Sequence, residues 1–270
     1  MDMRYSFSTF AAMMLLAAAA SAAHAENAVL PVSDALCADM KVTHVLGPGA
    51  PVGCERLRLV KFSYVDFAGI RHDDGEIVVM DAVADRVLRI FETLRARKFP
   101  IAKARLMDAY GGDDEASMAA DNTSSFNHRE IAGGGKISLH AYGLAIDLNP
   151  VENPYVTRNG ATFTFDPAAG ADYFNRQVRR PGKPERRGTA EMVVDIFAEN
   201  GFLVWGGNWD SPIDYQHFDV GRAMAETLAG LSPAEAGKKF EESVAQYRKC
   251  RRQHCGSTHT ASGCDAPCKS

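Results

Sequence analysis

Two segments of the chain carry side chains that could bind a metal ion and transfer protons. The first contains His140 and Asp147, and the second, further along the chain, contains Asp214 and His217. Catalytic zinc is typically held by three His, Asp, Glu or Cys side chains. His140, Asp147 and His217 can supply these three ligands, which leaves Asp214 as a group that handles protons. The two segments together predict a one-metal hydrolase.

The elements around the two segments must bring the ligands to one point. His140 and Asp147 would face opposite sides of a continuous strand, because side chains alternate along it. Gly143 lies between them and permits a turn or bulge that re-aims one ligand. The segment before His217 is rich in turn-forming residues. We therefore expect Asp214 and His217 on a tight loop that leads into a short strand.

The pattern of these residues resembles a known family of zinc enzymes. Small residues and ligands stand at fixed offsets between Ser138 and Asp147, and Gly206 and Gly207 stand between two tryptophans. The string is similar to the signature of the D-alanyl-D-alanine carboxypeptidase and L-alanyl-D-glutamate endopeptidase family. That family lies within a larger group that includes the lysostaphin-like peptidases and the hedgehog fold. The resemblance covers about residues 57–221.

The resemblance implies a role for each residue of the site. It implies zinc ligands at His140, Asp147 and His217, a general base at Asp214 and a substrate-orienting arginine at Arg129. The base position holds aspartate, as in the endopeptidase-like branch, where the D-Ala-D-Ala dipeptidase branch has glutamate. Arg129 could instead form a surface ion pair with the adjacent Glu130.

Four further residues could form pocket walls or support the ligands. They are Ser138, Tyr142, Trp205 and Trp209. For the two tryptophans, packing in the core is an equally good interpretation.

Length and composition are consistent with an enzyme of one main domain. The chain has 270 residues, 46% hydrophobic content and a formal charge of −4, which supports one sizeable core and gives no basic tail for nucleic acid. It lacks the His-Glu-x-x-His and Gly-x-Ser-x-Gly motifs of two other hydrolase classes. We expect a catalytic domain over residues 26–230 and a C-terminal helix with a cysteine-rich tail over residues 231–270.

The first 25 residues have the pattern of an export signal. Arg4 precedes an apolar stretch over residues 10–20, and Ala23 and Ala25 form a small-x-small cleavage site. The apolar stretch is too short for a convincing membrane span. The sequence therefore predicts a signal peptide over residues 1–25, with a periplasmic or extracellular protein that is not inserted in the membrane after cleavage.

Six cysteines agree with an oxidising compartment. We expect Cys37 to pair with Cys54 and the other four cysteines to pair within the tail, in an order that the sequence leaves open. His254 and His259 lie among the tail cysteines. A second, structural zinc site in the tail is therefore the alternative.

The predicted fold is α+β, with a small antiparallel sheet that carries the metal site and is flanked by helices. The expected elements are strands over 57–67, 76–80, 101–107 and 202–205, turns at Asp73-Asp74-Gly75, a helix from an N-cap at Asp81 to about Lys98, a long turn-rich connection over 108–135, a helix over 189–200 and a helix that opens at Ser232 with a capping box.

A basic segment lies between the two metal-binding segments. Its cationic residues are Arg176, Arg179, Arg180, Lys183, Arg186 and Arg187. It could attract an anionic wall polymer, but the pattern favours a solvated face between two elements.

The leading hypothesis is an exported zinc peptidase that cleaves D-amino-acid-containing stem peptides of peptidoglycan, as a carboxypeptidase or an endopeptidase. The alternative is a non-catalytic, zinc-containing protein that binds the cell wall. Asp214 argues against this alternative, because a binding protein needs no base beside its metal. A cystine-stapled interaction protein that acts through its tail is a third possibility.

Overall fold

A computed structural model describes residue 1 and residues 27–131, 134–255 and 263–269. The predicted signal peptide and His259 lie outside the described residues. Within the described part, the chain forms helices and small sheets, and this confirms the predicted α+β class.

Eleven strands and six helices make up this part of the chain. The strands are β1 Ala28–Pro31, β2 Leu57–Val65, β3 Arg71–Met80, β4 Lys103–Ala104, β5 Asn122–Thr123, β6 Ala145–Asp147, β7 Tyr155–Asn159, β8 Thr162–Asp166, β9 Val204–Trp205, β10 Ile213–Asp214 and β11 His217–Asp219. The helices are α1 Asp34–Val42, α2 Ala84–Ala96, α3 Asp114–Ala119, α4 Val194–Glu199, α5 Arg222–Gly230 and α6 Pro233–Cys255.

The strands form three antiparallel sheets and one short parallel pair. The antiparallel sheets have the orders β1-β2-β3, β10-β7-β8 and β6-β11-β9, and β4 pairs with β5 in parallel. The sheet β6-β11-β9 carries the candidate metal ligands Asp147 and His217. The antiparallel sheet that the sequence predicts at the metal site is therefore present.

The main core lies between α2 and the sheet β1-β2-β3. The apolar stripe of α2 is fully buried, and the ring of Phe91 stacks on that of Phe62 in β2 with 3.7 Å between the ring centroids. Burial of such large side chains is worth roughly 1.5–3 kcal/mol each. The segment that contains Gly143 is attached to this layer, because Met80 N donates to Gly143 O at 2.9 Å.

Two local predictions next to this core are wrong. The predicted turn at Asp73-Asp74-Gly75 is part of β3, where Gly75 lies opposite Phe62 and an added Cβ would come within 2.7 Å of the Phe62 carbonyl oxygen. The glycine thus serves a close approach of two strands. Asp81 is not the N-cap of α2, because its carboxylate accepts from the Arg56 guanidinium at 2.9 Å.

Several predicted boundaries also change. The expected strand over 101–107 is reduced to β4, and the expected loop over 108–135 contains α3 and β5. The helix expected over 189–200 is a 3-10 turn followed by α4, and the strand expected over 202–205 is reduced to β9. Short elements lack the length over which periodicity can be read.

The C-terminal helix α6 opens as predicted. Ser232 Oγ and Glu235 Oε2 lie 2.5 Å apart, and Ser232 N donates to the same carboxylate oxygen at 3.2 Å. Its buried face consists of the predicted residues Ala236, Phe240, Val244 and Tyr247. None of the described helices combines the length and the hydrophobicity that a membrane span requires.

Three disulfides close the two ends of the described fold. Cys37 pairs with Cys54, and the tail contains Cys250–Cys268 and Cys255–Cys264. The expected separation into one N-terminal pair and two tail pairs is confirmed. His254 lies beside Cys250 and Cys268, but both sulfurs are used in the disulfide. In the described part of the tail, the alternative of a second zinc site is therefore not formed.

Candidate metal and catalytic site

Two of the three predicted ligands lie directly opposite each other in one sheet. Asp147 ends β6, His217 begins β11, and the two residues are cross-strand partners. Side chains at paired positions of antiparallel strands project on the same face of the sheet. The carboxylate and the imidazole therefore meet, and His217 Nδ1 lies 3.1 Å from Asp147 Oδ1.

His140 reaches the same point from outside the sheet. It lies in a 3-10 turn, Leu139–Tyr142, which ends at Gly143 with φ +67°. An added Cβ at Gly143 would lie 2.6 Å from Met80 N, so this position requires glycine for both its conformation and its space. The predicted role of Gly143 in re-aiming one ligand agrees with this geometry.

The three candidate ligands lie close enough together for one metal ion. His140 Nε2 lies 3.1 Å from Asp147 Oδ2 and 3.2 Å from His217 Nδ1. Three corners of a tetrahedron with zinc–ligand bonds of 2.0–2.1 Å are separated by about 3.3 Å. All three side chains are buried. His140, Asp147 and His217 thus form a group that could hold a metal.

Each of the two imidazoles has a hydrogen-bond partner at the ring nitrogen that points away from the candidate metal position. His140 Nδ1 donates to the Ser125 carbonyl at 2.7 Å, so its Nε2 is the unprotonated nitrogen. His217 Nε2 lies 3.0 Å from Asp219 Oδ2, so in the neutral ring a proton on Nε2 would leave Nδ1 free to bind a metal. Such outer partners fix the tautomer of metal-binding histidines. With both rings in these neutral forms, two nitrogen lone pairs and a carboxylate would face each other, which is a favourable arrangement for a cation.

The electrostatics of the site favour positive charge at its centre. Burial raises the pKa of Asp147, but the imidazoles of His140 and His217 overcome this effect and hold that pKa well below its usual range. Burial lowers the pKa of His217, but the carboxylates of Asp147 and Asp219 outweigh it and raise the pKa well above its usual value. A proton and a metal ion therefore compete for the same place.

Asp214 has the properties of a base beside the metal group. It lies in β10, is buried, and its Oδ1 has no hydrogen-bond partner. Burial is the main cause that raises its pKa to about 7. The charge of His217 lowers this pKa, and the charge of Asp147 raises it. Its backbone fits against Gly206, where an added Cβ would lie 2.5 Å from Asp214 O. A carboxylate with such a pKa can accept and return a proton near neutral pH.

Arg129 has a carboxylate partner, but not the one that the sequence suggests. Its Nη2 lies 2.7 Å from Asp114 Oδ2, whereas Glu130 is contacted only through its carbonyl oxygen, at 3.4 Å from Nη1. The Nε of Arg129 has no partner. Burial is the main cause that raises the pKa of Tyr155. The charge of Asp214 also raises this pKa, and the charge of Arg129 lowers it. Arg129 and Asp214 therefore both lie close enough to Tyr155 to change its pKa.

The remaining predicted site residues are one that supports a ligand, one packed ring and two accessible rings. Ser138 is buried and its Oγ accepts from His140 N at 3.3 Å, so it supports a ligand. Trp205 Nε1 donates to Tyr215 O at 2.8 Å and its ring packs against Phe218, which agrees with the packing interpretation. Tyr142 and Trp209 are accessible.

Trp209 is the accessible ring next to the ligands. Its side chain is 38% exposed, and its ring centroid lies 5.5 Å from that of His217. Tyr142 is half-buried and lies under the Arg222 guanidinium, 5.8 Å from the ring centroid. Trp209 thus has the better position to contact a molecule at the metal group.

Three residues of the site are absent from the predictions. Asp219 has a signal in the sequence, because it stands two residues after His217 and shares its strand face. Ser125 acts through its backbone carbonyl, for which side-chain type gives no signal. Tyr155 comes next to Asp214 through the β7–β10 pairing, which no local pattern reveals.

Comparison with known proteins agrees with this site. Residues 132–220 match the family model described as D-alanyl-D-alanine carboxypeptidase. The matched range contains the three candidate ligands and Asp214, and it confirms the family resemblance. Neither the curated proteins nor the solved structures that were compared gave a significant match.

Proposed function

We propose that this zinc metallopeptidase, which is similar to D-alanyl-D-alanine carboxypeptidases over residues 132–220, hydrolyses stem peptides of peptidoglycan that contain D-amino acids. The observation that carries the proposal is the buried Asp214 carboxylate, with one unpaired oxygen, beside three converging ligand atoms. A site that only bound metal would have no need of this carboxylate.

His140, Asp147 and His217 would hold the zinc ion. When bound, zinc polarises a scissile carbonyl group and lowers the pKa of a water molecule toward neutrality. The outer partners Ser125 and Asp219 keep the two imidazoles in the required tautomers. The chain's own contribution is thus a fixed cluster of three lone-pair donors that needs no rearrangement.

Asp214 would handle the proton. Its unpaired Oδ1 would take a proton from the attacking water and deliver it to the departing amine, which is the general base and then the general acid part of the reaction. Burial raises its pKa to about 7 in the metal-free protein, and a bound cation would shift it toward the ionised form that a general base requires. Burial excludes bulk water from the carboxylate and strengthens its interaction with the reacting groups.

Arg129 would orient the substrate. A guanidinium group binds a carboxylate or an amide oxygen with a planar set of donors, and stem peptides carry carboxylates on D-Glu and on a terminal D-Ala. The side chain of Arg129 is partly exposed, and Asp114 holds its Nη2, which would fix the direction of the guanidinium group toward a substrate. Trp209 would form one wall of the substrate site.

The protein would act outside the cytoplasm, after removal of residues 1–25. The disulfides support this location, because disulfides persist mainly in oxidising compartments. Export would also bring the enzyme to peptidoglycan.

The test is to incubate the zinc-loaded full chain with purified muropeptides and to identify products by mass spectrometry. Loss of terminal D-Ala indicates a carboxypeptidase, and cleavage between L-Ala and D-Glu indicates an endopeptidase. Asp214→Asn should lower kcat by about 10²–10⁴-fold with zinc content unchanged. Asp210→Asn, an exposed neighbour, should keep wild-type activity. Absence of any product from the zinc-loaded protein would instead favour the non-catalytic wall-binding alternative.

A further inference from the structure

The basic segment between the two metal-binding segments is mostly accessible to solvent, in agreement with the solvated face that its sequence favours. Its arginines surround an open cleft of about 480 Å³. Arg180, Arg186 and Arg187 line the cleft together with the rings of Phe67 and Tyr173. A cleft of this volume is in the range of small-molecule sites.

The cleft has an excess of positive charge. Two carboxylates, Asp172 and Glu185, also line it. Glu185 pairs with Arg179, at 3.6 Å from its Nε, and the side chain of Arg179 is 90% exposed and not among the lining residues. Three arginines therefore line the cleft together with Asp172 and this ion-paired glutamate.

Several guanidinium donors of the cleft have no acceptor. They are Nε of Arg180 and both Nε and Nη1 of Arg186, and each of these atoms is shielded from solvent. A buried donor without a partner costs about 1–3 kcal/mol. Burial is also the main effect that lowers the pKa of Arg186, and the charge of Arg180 adds to it. An anion bound among these arginines would offset the repulsion between the charges of Arg180 and Arg186.

Backbone contacts hold the cleft in shape. Arg187 Nη1 donates to Phe67 O, and Arg180 Nη2 donates to Pro184 O, both at 3.1 Å. Arg186 N donates to Val178 O at 2.9 Å, and its guanidinium lies 4.9 Å from the centroid of the Tyr173 ring. The arginines are therefore placed before any ligand binds, which lowers the entropic cost of binding.

We propose that this cleft binds the phosphate group of a phosphorylated carbohydrate. Convergent guanidinium groups match the several oxygens and the double charge of phosphate. The half-buried ring of Phe67 supplies an apolar surface for the face of a sugar. This site is separate from the metal group, and the proposal does not depend on the peptidase activity.

The test is isothermal titration calorimetry of the full chain with α-D-glucose 1-phosphate, with D-glucuronate as the carboxylate probe. Arg180→Gln and Arg186→Gln should each weaken binding of the sugar phosphate by about tenfold or more, because each removes a charge-assisted contact. Lys183→Gln, an equal loss of charge in the same segment but outside the cleft, should leave the affinity unchanged within about twofold. Unaltered melting temperatures would establish that the variants fold.

Three results would overturn the proposal. They are no binding of glucose 1-phosphate, equal weakening by Lys183→Gln, and binding of D-glucuronate as tight as that of the phosphate. Phosphate bound at the metal group would be recognised by its insensitivity to Arg186→Gln, and this would also count against the cleft. Glycerophosphoglycerol distinguishes the source of the ligand: comparable binding supports a phosphodiester polymer, and preference for the monoester supports a free sugar phosphate.

Discussion

Asp219 decides which nitrogen of His217 is free to bind a cation. Its Oδ2 accepts from His217 Nε2 at 3.0 Å, and its Oδ1 accepts from Gly221 N. The Asp219 carboxylate is therefore itself held in place by the hydrogen bond from the Gly221 backbone. Local motif spacing identified the three ligands, because the chemistry of zinc restricts which side chains can serve. It did not identify Asp219, whose importance lies in the orientation of another residue.

Asp219→Asn should weaken zinc binding by about 10–100-fold, the usual effect of losing such an outer partner. The neutral amide no longer favours a proton on His217 Nε2 and stabilises the ligand less. A competition titration with a zinc-sensitive chelator dye measures the change, with Asp210→Asn as a matched control. Equal zinc affinity in the two variants would show that the Asp219 carboxylate has no role in metal binding.

The ion pair between Arg129 and Asp114 is a second contact between single residues that can be tested. Asp114→Asn should raise KM for muropeptides by about three- to tenfold with a smaller change in kcat, because a positioning contact is lost while Asp214 is untouched. Steady-state kinetics measure both constants. Glu115→Gln, on the exposed side of α3, should change neither, and a fall in kcat alone for Asp114→Asn would contradict a positioning role.

At the scale of elements, the site depends on a tight approach between a turn and a strand. Gly143 lets the turn that carries His140 pass beside Met80 at the end of β3. The sequence signal for this turn is clear, because a glycine between two ligands gives the backbone the positive φ that a tight turn requires. Signals for the neighbouring short elements are weak. Asp81, for example, has the composition of a helix cap, yet a distant partner, Arg56, takes its carboxylate.

Gly143→Ala should lower the free energy of unfolding by about 2 kcal/mol or more, since the new Cβ meets Met80 N and the backbone keeps a positive φ. Urea unfolding measures this loss. Gly237→Ala is the matched control, because it lies within α6 with open space around it, and it should stabilise by about 0.5–1 kcal/mol. Equal stability of the Gly143 variant and the wild type would refute the proposed close approach.

At the scale of the whole molecule, two acidic residues from distant parts of the chain, Glu152 and Asp121, interact with each other. Glu152 accepts from the Tyr173 hydroxyl at 3.0 Å. Burial, followed by the charge of Asp121, raises its pKa to about 8. The folded protein therefore keeps a proton on Glu152 that the unfolded chain releases near its ordinary value of 4.5. The free energy of unfolding must then fall as pH rises between these two values.

Glu152→Gln should remove this dependence, because the amide carries no charge at any pH. The contribution lost in the wild type is at most about 1.4 kcal/mol per pH unit, so the variant should gain most in relative stability near pH 8 and nothing near pH 4.5. Melting temperatures across this range give the comparison, with the exposed Glu242→Gln as control. Parallel profiles for the wild type and Glu152→Gln would show that Glu152 does not retain its proton.

The sequence predicted the α+β class, the apolar faces of α2 and α6, and the segregation of the disulfides, because each depends on composition or on periodicity within a long element. It missed what depends on contacts between distant segments. Tyr155 lies beside Asp214 through strand pairing, and Phe67, from the turn after β2, lines the cleft of the basic segment.

The direct opposition of Asp147 and His217 ties metal loading to correct assembly. If β6 and β11 slipped by one residue, one of the two side chains would turn to the other face of the sheet. Such a misaligned molecule could not hold an ion at full strength. Zinc retained through gel filtration therefore counts the molecules in which these strands are properly aligned, and it can serve as a check on every preparation and variant of this protein.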